Sequence, residues 1–147
     1  MTPDENRKTA RRIVIELFNA GNLDLVDKLI AANFVEHAAP PGMPQGREGF
    51  RAMIPNLRSA FPDLEYTIED QIAEGDRVAQ RVVGHGTMQG EFMGMQPTGK
   101  RAEWQEMHIH RFDAEGKLAE HWETSNDLGM MAQLGLVPQS WPKSDTE

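Results

Sequence analysis

Two segments of this chain carry most of the residues that can move a proton. His108-Ile109-His110 sets two imidazoles on one face of an extended stretch, and Glu120-His121-Trp122-Glu123-Thr124-Ser125 follows beyond a turn. Side chains of a strand alternate between faces, so Trp104, Glu106, His108, His110 and Phe112 share one side, with Met107, Ile109 and Arg111 on the other. By the same period His121, Glu123 and Ser125 share a face, and Glu120, Trp122 and Thr124 the opposite one. If the two stretches pair across Asp113-Ala114-Glu115-Gly116, Glu123 comes within reach of His108. A carboxylate beside an imidazole is a standard pair for proton transfer near neutral pH. Two readings of the Trp104 to Phe112 face stay open: a solvated outer surface, or a pocket wall in which each buried polar group needs a partner.

Other chemistries are harder to build. The 147 residues include no cysteine, which removes disulfides, thiolate metal sites and cysteine nucleophiles. His108, His110 and Glu115 resemble half of a cupin-type metal motif, but Glu115 falls in the turn and three or four convergent ligands are not assembled, so no metal is expected. Gly94-Met95-Gln96-Pro97-Thr98-Gly99-Lys100-Arg101 approaches a phosphate loop, yet Arg101 stands where the magnesium-binding hydroxyl belongs and a strand pattern follows. Lys plus Arg total 15 against 23 Asp plus Glu, and the net charge of −8 removes the cationic surface that nucleic acid requires. A polar N-terminus and the lack of any run near the roughly 20 apolar residues of a membrane span predict a soluble, cytoplasmic protein.

The elements that must position these groups follow from periodicity. Thr2-Pro3-Asp4-Glu5 is a helix start, and Ala10, Ile13, Val14, Leu17 and Phe18 give an apolar stripe that ends at Gly21. A second helix is predicted over Leu23 to Ala31, and Asn33 to His37 leads into a Pro-rich loop. Phe50, Met53, Ile54, Leu57 and Phe61 mark a third helix, with a kink or break expected at Pro55. From Leu64 the period becomes two: a strand, a turn at Glu74-Gly75-Asp76, a return strand to His85, a Gly- and Met-rich loop to Lys100, then the two chemistry-bearing strands. Leu128 to Leu134 suggests a short helix, and a loose tail is expected over 138–147. Helices first and antiparallel strands afterwards predict one α+β domain over 1–147, its core about 3–136: a cone-shaped, mostly antiparallel sheet covered by the N-terminal helices.

Seven segments occur in an order that carries a resemblance: Asn33-Phe34-Val35-Glu36-His37, Ala60-Phe61-Pro62-Asp63-Leu64, Glu74-Gly75-Asp76-Arg77-Val78, Gly86-Thr87, Gly90-Glu91-Phe92-Met93-Gly94, Pro97-Thr98-Gly99-Lys100 and Glu120-His121-Trp122. From about residue 7 to Leu136 the chain resembles the SnoaL-like polyketide cyclase (ester cyclase) family, within the nuclear-transport-factor-two-like and ketosteroid-isomerase-like superfamily. The resemblance implies an α+β barrel, no metal or organic cofactor, and a homo-oligomer, dimer or tetramer, joined through the sheet. It also implies cofactor-free aldol ring closure of a polyketide-type ester. Carried over by position, the family's acid/base Asp falls on Glu123, one methylene longer, and its assisting His on His108.

On this reading Glu123 removes a proton from carbon and His108 serves the oxyanion. Trp104, Trp122, Phe92, Met88, Met93 and Met95 line a hydrophobic pocket with His110 and His121, and His37 sits at its mouth. Rival readings are a cofactor-independent polyketide hydroxylase, another proton-transfer enzyme (isomerase, hydrolase or dehydratase), and a non-catalytic binding or assembly module. Tyr66, the single tyrosine, argues against the Tyr-plus-acid oxyanion hole of ketosteroid isomerase. A cavity of several hundred Å³ where Glu123 and His108 converge would separate enzyme from module. Acidity gathers on the predicted sheet: six carboxylates and no Lys or Arg over 61–76, which suits a neutral ester better than a free acid.

Overall fold

Thr2 opens the first helix in the computed structural model, which describes residues 1–138. Its hydroxyl accepts from the Glu5 N–H while the Glu5 carboxylate accepts from the Thr2 N–H, the reciprocal cap that their spacing predicts. Helix α1 (Pro3–Arg12) runs straight into a π-helical stretch, Ile13–Asn19, which periodicity alone does not reveal. That stretch delivers Asn19 to the sheet. Its amide donates to the Tyr66 carbonyl at 2.9 Å and its Oδ1 accepts from the Tyr66 N–H at 2.7 Å. Arg58 donates to the Phe18 and Asn19 carbonyls, satisfying the helix end.

Two local expectations need correction. A helix to Ala31 is replaced by a 3-10 turn, a short α2 (Val26–Leu29) and a strand, β1 (Ile30–Glu36). The ladder that β1 forms with the last strand overrides the helical spacing of Val26, Leu29 and Ile30. Helix α3 (Gly46–Ala60) is continuous through Pro55, which forfeits the hydrogen bond its missing N–H would have made without ending the helix.

Strands β2 (Glu65–Glu74), β3 (Arg77–Thr87), β4 (Arg101–Phe112) and β5 (Leu118–Ser125), then α4 (Asp127–Gln133), complete the described chain. The sheet order is β1-β5-β4-β3-β2. Neighbours pair antiparallel except β1 with β5, so the sheet is mixed, and it stays open because β1 and β2 are its edges. The Gly- and Met-rich segment between β3 and β4 is a loop with one small bridge, Phe92 to Met95, and β4 rather than a helix follows Lys100. The predicted tail lies, after Pro138, outside the described residues. No described helix is long and apolar enough to cross a membrane.

The helices cover one face of the sheet over two apolar clusters. One holds Leu17, Ile30, Phe34, Phe50, Val78, Phe112 and Leu118; the other holds Phe61, Leu64, Tyr66, Val82, Met88, Trp104 and Leu134. Gly84 is required by the second cluster, since a Cβ there would lie 2.6 Å from the Tyr66 ring and 2.7 Å from Trp104. Its absence lets those rings meet edge to face at 6.1 Å.

Candidate active site

Between the two apolar clusters the inner face of the sheet carries a belt of polar side chains. Glu36 comes from the end of β1, Gln80 from β3, Glu106, His108 and His110 from β4, and His121 and Glu123 from β5, with Tyr66 of β2 at one side. The alternation read from sequence is realised, and the pairing places His108 opposite Glu123 and His110 opposite His121. This face is not a solvated outer surface: Glu106, His110 and His121 are buried, and His108 keeps 13% of its side chain exposed.

A buried polar group far from water needs a partner, and here the partners form a line. Trp104 Nε1–H donates to Glu106 Oε2 at 2.7 Å. The other Glu106 oxygen is 2.9 Å from His108 Nε2. His108 Nδ1 is 2.8 Å from His121 Nε2, and His121 Nδ1 lies 2.8 Å from both oxygens of Glu36. Beside the line, His110 Nε2 meets Gln80 Oε1 at 3.0 Å, while His110 Nδ1 and Gln80 Nε2 have no partner among the described residues.

The two carboxylates beside His108 differ in charge. Burial pushes Glu106 up, but the hydrogen bond and charge of His108, with Trp104 and Tyr66 beside it, more than offset this and hold it below the usual carboxylate range. Glu123 is less deeply buried and has no such partners among the described residues. Burial first, then the Glu106 charge, push it up to about 9, so at neutral pH it is a carboxylic acid beside a carboxylate. His110 is neutral, its pKa driven well below the usual value by burial and then by His121 and His108. Burial and the Glu106 charge raise the Tyr66 hydroxyl well above its ordinary value.

Ligand atoms of His108, His110 and His121 lie within 4.8 Å of one another, as do those of Glu106, His108 and Glu123. These are the groups on which a metal could be held. The 2.8 Å between His108 and His121 is the spacing of a hydrogen bond, shorter than the ~3.3 Å between two nitrogens on a tetrahedral zinc.

The remaining expected site residues divide. Trp104 closes one end of the belt, and Met88, Phe92 and Met95 pack around it and Phe61 in the second apolar cluster. Met93 does not line the site: it is 63% exposed, in a turn at φ 50°. Trp122 and His37 are also displaced from the expected pocket. Trp122 alternates with Glu123 and so faces outward, where it stacks on His37 at 4.8 Å with the Arg77 guanidinium 5.1 Å from its ring. Tyr66, whose being the single tyrosine argues against a Tyr-plus-acid oxyanion hole, stands beside Glu106. Glu36 and Gln80 escaped sequence reasoning; the Glu36-His37 dipeptide was visible, but the strand that aims Glu36 inward was not.

Two hollows bear on access. One of about 10 Å³ lies under the Pro-rich loop, lined by Glu36, Ala39, Pro40, Met43, Phe50 and Met53. The other, about 510 Å³, lies at the far end among Met1, Asn6, Gly75, Arg111 and Phe112. Glu123 and His108 converge, and neither of these two hollows is lined by them.

Comparison with known proteins agrees with this fold. Residues 8–134 match the family model of the SnoaL-like polyketide cyclases. The chain is 29% identical over 134 residues to the aklanonic acid methyl ester cyclase of Streptomyces peucetius, covering 89% of this chain and 90% of that one. It is 28% identical over 134 residues to the nogalonic acid methyl ester cyclase of Streptomyces nogalater, covering 90% and 97%. Among solved structures, TsrD of Streptomyces laurentii superposes with a TM-score of 0.84 at 25% identity, over 93% of this chain and 99% of that one. IdmH of Streptomyces antibioticus superposes at 0.76 with 37% identity, over 88% and 98%.

Proposed function

Because the chain belongs to the SnoaL-like polyketide cyclase family, we propose that it closes a ring in a neutral polyketide methyl ester by intramolecular aldol chemistry, with Glu123 as the group that meets the substrate. The observation that carries this reading is the pairing of a protonated Glu123 with an ionised Glu106 beside His108. Two carboxyl groups holding one proton act as acid and base together.

The roles shift from those expected of a lone base. A substrate proton on the carbon between two carbonyls passes to one oxygen of Glu123 while the Glu123 proton passes from its other oxygen to Glu106. The enolate carbon then bonds to the ketone carbon, whose oxygen becomes an alkoxide. That alkoxide recovers a proton from Glu123, which regains its own from Glu106, and no net proton is consumed. Folding of the substrate supplies proximity, so the protein need only orient it. Both ring nitrogens of His108 are engaged by Glu106 and His121, which makes it the partner of Glu106 rather than the oxyanion donor. Trp104, Met88, Phe92 and Met95 offer apolar contact, and admission of a flat ring requires Met43, Met53 and Phe50 to yield beneath the Pro-rich loop.

The test is ring closure of an aromatic polyketide methyl ester, without added cofactor and under nitrogen. Turnover that is lost in Glu123→Gln supports the reading. Turnover that needs oxygen selects the hydroxylase instead, and full activity of Glu123→Gln removes Glu123 from the chemistry. Association of two copies through the sheet fits the outer face, where Ala79, Ile109 and Trp122 adjoin across three strands and Met107 and Ile109 are exposed. Sedimentation of Ile109→Asp as a monomer beside a dimeric parent checks it. This reading places the protein in the cytoplasm.

A further inference from the structure

The line of hydrogen bonds contains one proton too few if both imidazoles are neutral. An ionised carboxylate only accepts, so the nitrogens that face Glu36 and Glu106 must carry hydrogens: His121 Nδ1 and His108 Nε2. A neutral imidazole has one N–H. His108 Nδ1 and His121 Nε2 would then face each other at 2.8 Å as two lone pairs, which repel.

We infer that His108 and His121 hold one excess proton between them, flanked by the Glu106 and Glu36 carboxylates, and that His121 and Glu36 are positioning residues that act through His108 on Glu106, which takes up and returns the proton of Glu123. The charges balance locally. One cation shared by two rings sits between two anions, the adjacent Glu123 is a neutral acid, and His110 is a neutral ring. From β3 and β2 the facing groups are Gln80 and Tyr66, neither of them charged. When Glu106 is protonated during turnover, the imidazole pair would lose one of its two counter-ions. Glu36 supplies the other one, so the buried cation is never left without a counter-ion. The atoms balance: the proton that Glu106 gains from Glu123 goes back the same way, and the shared proton only shifts along the His108 to His121 axis toward Glu36.

The role of Glu106 in turnover rests on the cyclase reading; the shared proton does not. Nitrogen-15 NMR of the histidine-labelled full chain at neutral pH tests it. The expected result is protonated His108 Nε2 and His121 Nδ1, and one far-downfield proton coupled to the two facing nitrogens that vanishes in His121→Gln. A bare outer nitrogen on either ring, with the proton on Glu106 or Glu36, overturns the inference. Kinetics supply the second arm. Glu36→Gln, which keeps the volume if His121→Gln does not fold, is expected to lower kcat by about 10- to 100-fold with KM within about twofold, as displacement of a reacting group does, and Glu36→Asp to recover part of it. An unchanged kcat in Glu36→Gln, with Glu123→Gln inactive, also overturns it. A wild-type protein with the shared proton but no ring closure fails the cyclase reading alone.

Discussion

Glu120 and His121 are adjacent in β5 and each makes a histidine–carboxylate pair, yet the two pairs live in different media. His121 meets Glu36 on the inner face at 2.8 Å, with 6% and 12% of the side chains exposed. Glu120 meets His37 on the outer face at 2.6 Å, with 24% and 41% exposed, and also takes a hydrogen bond from Arg111 at 2.8 Å. Outside, water screens the pair, and the Arg111 hydrogen bond, then that of His37, lowers the Glu120 pKa to the ordinary effect of a surface partner. Inside, no solvent competes, so each proton has to be assigned to a place and its removal is felt along the whole line. The same residue types form a screened surface pair on one side and part of a buried hydrogen-bonded line on the other because the strand period sends them to opposite faces.

The comparison can be broken most directly at Glu123. Glu123→Gln is expected to lower kcat for ring closure by about 10²- to 10⁴-fold, the usual contribution of a general acid–base group, measured by product formation with an intact fold by circular dichroism. Gly84→Val comes next. It forces Tyr66 and Trp104 apart on the inner face and is expected to cost about 1–3 kcal/mol in urea unfolding, as overpacking does.

Glu123 rises from 4.5 unfolded to about 9 folded, so the folded state binds more protons between these values. Its favourable contribution is complete below about pH 4.5 and declines as pH rises toward about 9. Denaturation midpoints are therefore expected to fall across this range in the wild type and to fall less in Glu123→Gln. The smallest effect belongs to the outer pair: Glu120→Gln should leave kcat unchanged within about twofold and barely move Tm. A loss of activity there comparable to that of Glu36→Gln would erase the distinction between the faces.

Much of the site was legible because strand period is a local property. Trp104, Glu106, His108 and His110 on one face, and His121 with Glu123 on its partner, follow from counting by two and from one turn at Asp113 to Gly116. The α+β class and the capped first helix were legible for the same reason. Trp122 shows the limit of resemblance set against period: its alternation with Glu123 already excluded it from the inner face. Glu36 was hidden because β1 reads locally as the end of a helix followed by the lead-in to a loop; only a parallel ladder with β5, more than eighty residues further along the chain, extends it. Tyr66 was hidden because its height along β2 relative to Glu106 depends on the register between strands and on Asn19 clamping its backbone.

By itself, then, the sequence determined the chemical alphabet: carboxylates, imidazoles and tryptophan without thiols, and which of them share a strand face. Those choices depend on covalent order and a period of two residues. The tertiary structure alone decided which carboxylate keeps its charge. Glu106 and Glu123 are the same residue type on paired strands, and one is an anion and the other an acid because burial acts on both while His108, Trp104 and Tyr66 reach only the first.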